Sequence, residues 1–222
     1  MTLKANLRWI LILIGAAGLI GFLLIYWALS SIRMPFSFPV GDVPPSGSEV
    51  VAPPPQIVPP PTDGFDFPVG PPDAKKYYNA QKFQENNHLG EDWNGNGGGN
   101  TDKGDPVYAA GAGIVIDAED YGAGWGNVVV LRHNIGTMEA PRLIESLYAH
   151  LDEMKVEVGD TLSRGQQLGT IGDAHGAYWA HLHFEMRHQI DMGLRGGYGE
   201  DTTGFLVPTK FIQQHRKIMN NE

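Results

Sequence analysis

Thirteen of the chain's sixteen prolines fall between Pro35 and Pro72, with unbroken triplets at Pro53 to Pro55 and Pro59 to Pro61. Proline lacks the amide hydrogen that a helix interior or an inner strand needs, so this stretch builds neither. It reads as a partly stiff spacer of polyproline II character over residues 30–72, reaching on the order of 100 Å when extended. Ahead of it, Trp9 to Trp27 carries no charged residue and matches the roughly 20 apolar residues that cross a bilayer as a helix. A hydrophobic core must then come from residues 73–222, and a single domain of about 150 residues is expected.

Lys4 and Arg8 precede the apolar run, and only Arg33 follows it closely. The positive-inside bias therefore puts residues 1–8 in the cytoplasm, residues 9–29 across the membrane, and the remainder on the periplasmic or extracytoplasmic side. A cleaved signal peptide is the rival reading, with Ala28-Leu29-Ser30 as a weak cleavage site. Its apolar region normally spans only about 7 to 15 residues, so an uncleaved anchor is preferred. Gly18 and Gly21, with Ala17, would let a second helix approach for a helix-mediated dimer, although glycines simply tolerated in lipid are the plainer reading.

The chain has no cysteine. An exported domain without cysteine has no disulfide framework and no thiolate metal site, so any metal must be held by histidine and carboxylate. All twenty-five acidic residues lie beyond Arg33 against thirteen Lys and Arg, a formal net charge of −12 for the exported part. Such a domain lacks the basic patch that a nucleic-acid partner requires.

Short segments rich in Val, Ile and Tyr, separated by Gly, Asn, Asp or Pro, predict a mainly β domain with antiparallel pairing. They are Val107 to Ala110, Gly113 to Ala118, Gly126 to His133, Leu143 to His150, Lys155 to Val158, Gln166 to Ile171 and Trp179 to Arg187. Lys75 to His88 is mixed, irregular or partly helical. One helix is expected from Pro208 to Met219, with proline in its first turn and Phe211 and Ile212 facing the body.

Chemistry concentrates in His88-Leu-Gly-Glu-Asp92, Tyr148-Ala-His150-Leu151 and His181-Leu-His183-Phe-Glu185. On a strand, His181, His183 and Glu185 share one face while Leu182, Phe184 and Met186 share the other. Gly90 allows a sharp turn, so His88 and Asp92 could reach one ion. A catalytic zinc takes three protein ligands and keeps a fourth position open. Four histidines and a carboxylate form a pool large enough for that set and for proton transfer.

With these strings, Gly104 to Ala110, Gly126 to His133, Val158-Gly-Asp160 and Gly165-Gln166 stand in one order over about 100 residues. In that order the chain resembles the lysostaphin/LytM-like zinc metallopeptidases that cut peptidoglycan cross-links. The resemblance implies an antiparallel β domain with a narrow groove, one Zn2+ held by His88, Asp92 and His183, and His150 and His181 as the catalytic pair. It also implies peptidoglycan peptides as substrate, through glycine bridges or D-alanyl cross-links, and an acidic groove rim with aromatics would suit either. Zinc can activate water and polarise a carbonyl; one of His150 and His181 would take the water's proton while the other steadies the oxyanion or the leaving amine.

Departures from the family pattern are local. Trp93 follows Asp92 where an aliphatic residue is usual, and Trp93 to Lys103 reads as a glycine-rich insertion, either a lip over the groove or a tolerated loop. Tyr178, Trp179 and His175 are candidates to line the groove. Glu185 is expected to orient a metal histidine, and Glu91 to face away from Asp92. His133 reads as structural, and His188 and His215 as solvated. No upstream tyrosine aligns with the one that helps hold the oxyanion in some relatives, neither Tyr77 nor Tyr78. The main alternative is a family member without zinc that binds peptidoglycan or activates other wall hydrolases; that class drops ligand positions, and all are present here. Val156 to Gly172 superficially resembles a lipoyl or biotinyl hairpin, but such modules need no His-x-His.

Overall fold

Leu182, Phe184 and Met186 of strand β9 (Leu182–Arg187) are fully buried in the main apolar core, and His183 and Glu185 on the opposite face hydrogen-bond to each other. This is the alternation expected of HLHFE. The computed structural model describes residues 57–122 and 124–218. The expected membrane span 9–29 and the spacer up to residue 56 lie outside them. Among the described residues no helix is long and apolar enough to cross a membrane.

The body is mainly β, and every pairing between its strands is antiparallel. Ahead of β9 stand β1 (Tyr77–Gln81), β2 (Glu91–Gly95), β3 (Pro106–Tyr108), β4 (Gly113–Asp120), β5 (Asn127–Asn134), β6 (Leu143–Met154), β7 (Thr161–Leu162) and β8 (Gln167–Ile171). The main path runs β1-β2-β9-β6-β5-β4-β7. Strand β8 joins β3 to β6, and β10 (Phe205–Leu206) pairs with β9. The central strands β9, β6 and β5 thus carry residues from all three motifs or brace them.

Both faces of these central strands are covered, which explains their long buried runs. Val129, Leu131, Tyr148, Leu182 and Phe184 belong to the main core. Val128, Val130, Leu147 and Ala149 form a smaller apolar cluster on the other face, with Trp125 and Leu194 against it. Further along that second face the sheet turns polar: Arg132 meets Glu145 at 2.7 Å and also pairs with Asp191, while Arg187 Nε donates to Glu185 at 2.7 Å.

Four expectations need correction. The folded body begins upstream of Asp73: Phe65 and Val69 are fully buried and Phe67 packs 5.1 Å from Trp93. Thr62 and Asp66 amides bond to the carbonyls of Asn134 and Ala110. Proline is tolerated there because the segment borders the sheet and does not enter it. Lys155 to Val158 is not a strand, since β6 itself continues to Met154 and the chain then bends towards Gly159, whose φ is 99°. The mixed stretch 75–88 contains β1 and a short 3-10 turn at Glu85–Asn87. The helix α1 spans Pro208–Gln214, shorter than expected, with Phe211 and Ile212 buried.

Candidate metal centre and groove

Strand β2 lies beside β9 with Asp92 opposite His183, so cross-strand pairing alone sets a carboxylate against an imidazole. His88 reaches the same point from just before β2. Its Nε2 is 2.9 Å from His183 Nδ1 and 3.3 Å from Asp92 Oδ1, and His183 Nδ1 is 3.1 Å from Asp92 Oδ1. One donor atom from each of His88, Asp92 and His183 falls within 4.8 Å of the others. The three are buried or nearly so.

Gly90 serves this cluster by its lack of a side chain rather than by a left-handed turn. A Cβ there would stand 2.8 Å from His183 Cε1 and 2.8 Å from the Phe184 carbonyl oxygen. On the far side of the His183 ring, Nε2 lies 3.0 Å from Glu185 Oε1. Nε2–H donates to that carboxylate, so in neutral His183 the Nδ1 lone pair faces Asp92 and His88. Glu185 thus has the orienting position expected of it. Glu91 faces away from Asp92, accepting from Thr209 Oγ1 at 2.6 Å.

The electrostatics call for a cation. Burial alone would lower the pKa of His183, but its hydrogen bonds to Asp92 and Glu185 and their charges raise it to about 9. Burial alone would raise Asp92, yet hydrogen bonds with His183 and His88 hold its carboxyl well below the usual range. Lone pairs converging from two imidazoles and one carboxylate, without a thiolate, suit zinc.

His150 reaches the groove through a defect in the sheet. Between the pairs Asn127 with Leu151 and Val129 with Tyr148, strand β5 contributes Val128 while β6 contributes Ala149 and His150. His150 is the extra residue, at φ 63°. Tyr148 and Leu151 face the core, and strict alternation would send His150 there too; the bulge re-aims it. Its Nδ1–H donates to the Trp125 carbonyl at 3.1 Å, leaving Nε2 free of that bond. Burial, followed by the charges of His183 and His181, lowers its pKa to about 3.

His181, just before β9, is fixed the same way: its Nδ1–H donates to the Trp179 carbonyl at 2.7 Å. Its Nε2 lies 3.7 Å from Asp92 Oδ1, and its ring centroid lies 4.7 Å from that of His150. All five expected residues therefore meet in one place. Four of them, with Trp125, Tyr178, Trp179 and Tyr198, line a cavity of about 860 Å³. His88 lies beneath the floor.

The groove departs from expectation in three ways. Its rim is not acidic: Asp92 is the lone carboxylate among the lining residues, and no Lys or Arg is present. His175 is not in the lining and sits 2.8 Å from Asp120 instead. The glycine-rich insertion starts later than Trp93, which is buried within β2. Its Asn100 does form part of the lip, tied down where Asn100 Oδ1 accepts the Ala180 amide at 2.8 Å.

Sequence reasoning missed two aromatic lining residues, Trp125 and Tyr198. Trp125 supplies the carbonyl for His150, and Tyr198 tilts over His88 with ring centroids 5.0 Å apart. The Tyr198 hydroxyl donates to Gln81 Oε1 at 3.1 Å. The signal was an aromatic next to glycines, in Gly124-Trp125-Gly126 and Gly196-Gly-Tyr198-Gly. Tyr77 lies away from the cavity, donating to Asp105 at 2.7 Å, and His133 is buried against the Ala112 carbonyl and Ser146.

The model of peptidase family M23 matches residues 87–193, which spans the whole cluster. Lipoprotein NlpD of Yersinia enterocolitica is 31% identical over 87 residues, 39% of this chain and 81% of that protein. Peptidoglycan DD-endopeptidase ShyA of Vibrio cholerae is 34% identical over 83 residues, 37% of this chain and 17% of its own length. Murein hydrolase activator NlpD of Escherichia coli is 32% identical over 87 residues, 39% of this chain and 21% of that protein. The chain belongs to peptidase family M23. Except for the Yersinia protein, it spans about a third or less of these and other first-ranked relatives.

Proposed function

We propose that this chain is a zinc-dependent endopeptidase that hydrolyses peptide cross-links of peptidoglycan in the cell envelope. The observation that carries the reading is the complete five-residue set: three converging ligand atoms beside two imidazoles, each with Nδ1 committed to a backbone carbonyl. His88, Asp92 and His183 would hold the zinc. Bound there, it would supply a Lewis acid for the scissile carbonyl and for water.

The chain's own side chains would do the rest. His150 and His181 present Nε2 to the groove, so the neutral ring of one would accept the water proton while the other, carrying protons on both nitrogens, would donate to the oxyanion or the departing amine. Trp125 and Tyr198 shield the His183 and His88 rings from solvent, with centroids 5.4 and 5.0 Å away. Residues 57–72 do not line the groove, so this part of the proline-rich segment leaves it open. A membrane anchor at residues 9–29 would hold the domain on the extracytoplasmic side, and the apolar, uncharged sequence there supports it.

The second reading, an activator without activity of its own, is favoured by the relative named for that role. Cross-linked muropeptides separate the two. The zinc-loaded chain should split the bridging peptide, and His150→Ala or His181→Ala should keep one zinc per chain while losing about 10²- to 10⁴-fold in rate. A folded, zinc-loaded parent that leaves every cross-link intact would establish the activator reading.

A further inference from the structure

Trp179 is the most exposed large apolar side chain of the described residues, at 71%, and it lies in the wall of the cavity. Its position is held. The Trp179 carbonyl accepts from His181 Nδ1, and the next amide, Ala180, donates to Asn100 Oδ1. Gly99 backs the indole: a Cβ built on it would lie 3.7 Å from Trp179 Cζ3. Asn100, also in the lining, has its side-chain oxygen occupied, and its amide nitrogen makes no hydrogen bond among the described residues.

An exposed indole beside a planar amide with free N–H donors matches a particular ligand chemistry. The carbon-bound hydrogens on one face of a pyranose stack against an aromatic ring, while its hydroxyl and N-acetyl oxygens accept hydrogen bonds. Aromatics with one apolar face and a wet surrounding suit such amphipathic ligands. The lining carries no Lys or Arg to hold an anionic ligand, and no carboxylate besides Asp92 to hold a cationic one. A neutral polar ligand with apolar faces fits the wall.

We infer that Trp179 and Asn100 form a sugar subsite that holds an N-acetylated amino-sugar unit of the glycan strand beside the peptide being cut. The inference rests on the peptidoglycan reading for the attached peptide, but sugar binding is separable from cleavage. Because His181 hangs its Nδ1 from the Trp179 carbonyl, a sugar on the indole is positioned with respect to the proton-transfer group through two residues of backbone. Substrates that carry the sugar would then be preferred over free peptides of the same sequence.

The test uses the zinc-loaded full chain, the Trp179→Ala and Trp179→Phe variants, and two cross-linked stem peptides, one bearing the disaccharide and one without it. Truncating so exposed a side chain keeps the carbonyl that holds His181, and circular dichroism and zinc content check the fold. Trp179→Ala should raise KM about tenfold on the sugar-bearing substrate. The rise in KM should be much smaller on the sugar-free peptide, and Trp179→Phe should recover most of the loss on the sugar-bearing one. Separately, a soluble β-1,4-linked N-acetylglucosamine oligomer should shift the indole N–H signal of Trp179. Equal losses on the two substrates and an unmoved indole signal would overturn the subsite. An oligomer that moves the signal on a chain that cuts neither substrate would leave the subsite standing and remove the peptidase reading.

Discussion

Glu185 stands between His183 and Arg187, accepting from His183 Nε2 at 3.0 Å through one oxygen and from Arg187 Nε at 2.7 Å through the other. The guanidinium fixes the carboxylate, and the carboxylate fixes which nitrogen of His183 carries the proton. Glu185→Gln weakens both contacts without removing a ligand. Zinc affinity, measured by competition with a chromophoric chelator, should fall about 10- to 100-fold. An unchanged affinity would show that β9 packing alone orients the ring.

Gly90→Ala tests the close approach behind that ring. The added methyl would sit 2.8 Å from His183 Cε1 and 2.9 Å from its Nε2, closer than carbon atoms pack. The ring must move off Glu185, and the proposed zinc site should loosen with it. A loss of affinity of about tenfold or more is expected, with the β-sheet circular dichroism retained.

Arg132 is buried with Glu145 and pairs as well with Asp191, whose amide also donates to Glu145 at 3.1 Å. The group ties the loop after β9 to strands β5 and β6. Arg132→Met leaves Glu145 buried without its partner and should cost about 3 to 5 kcal/mol in urea unfolding. Adding Glu145→Leu to Arg132→Met should recover much of that, because a buried pair replaced by apolar groups is near neutral.

His133 makes stability fall with acid. Burial lowers its pKa from 6.5 to about 4, partly offset by the Ala112 carbonyl. Between these values the unfolded chain binds a proton that the folded chain does not, so stability is lost as pH falls from about 6.5 to about 4 and this contribution is flat outside that window. The shift corresponds to about 3 kcal/mol for so buried a group. His133→Gln in metal-free protein should flatten the difference curve over that window; a parallel curve would assign the acid sensitivity elsewhere.

Much of the site was legible because it follows from local alternation. HLHFE has a period of two and sits on a central strand, so its polar and apolar faces separate as its spelling says. Strand β2 was not legible: Glu91-Asp-Trp-Asn-Gly has little β propensity, and it pairs because β1 and β9 flank it. Tertiary context also took Phe65 and Val69 out of an apparent linker, since proline density masks the apolar residues between the prolines. Tyr198 and Trp125 were invisible for another reason. Each is a single aromatic in a glycine loop, brought over the histidines by backbone contacts such as the Leu89 amide to the Gly197 carbonyl.

The extra residue at His150 has a consequence for anyone moving this chemistry to another scaffold. A regular antiparallel sheet carrying the same letters, Tyr-Ala-His-Leu opposite His-Leu-His, would present the isolated histidine to the wrong side of the layer, buried among leucines and valines. The proposed proton-transfer pair is therefore encoded by a miscount between two neighbouring strands as much as by the identity of its histidines, and a transplant must copy the miscount.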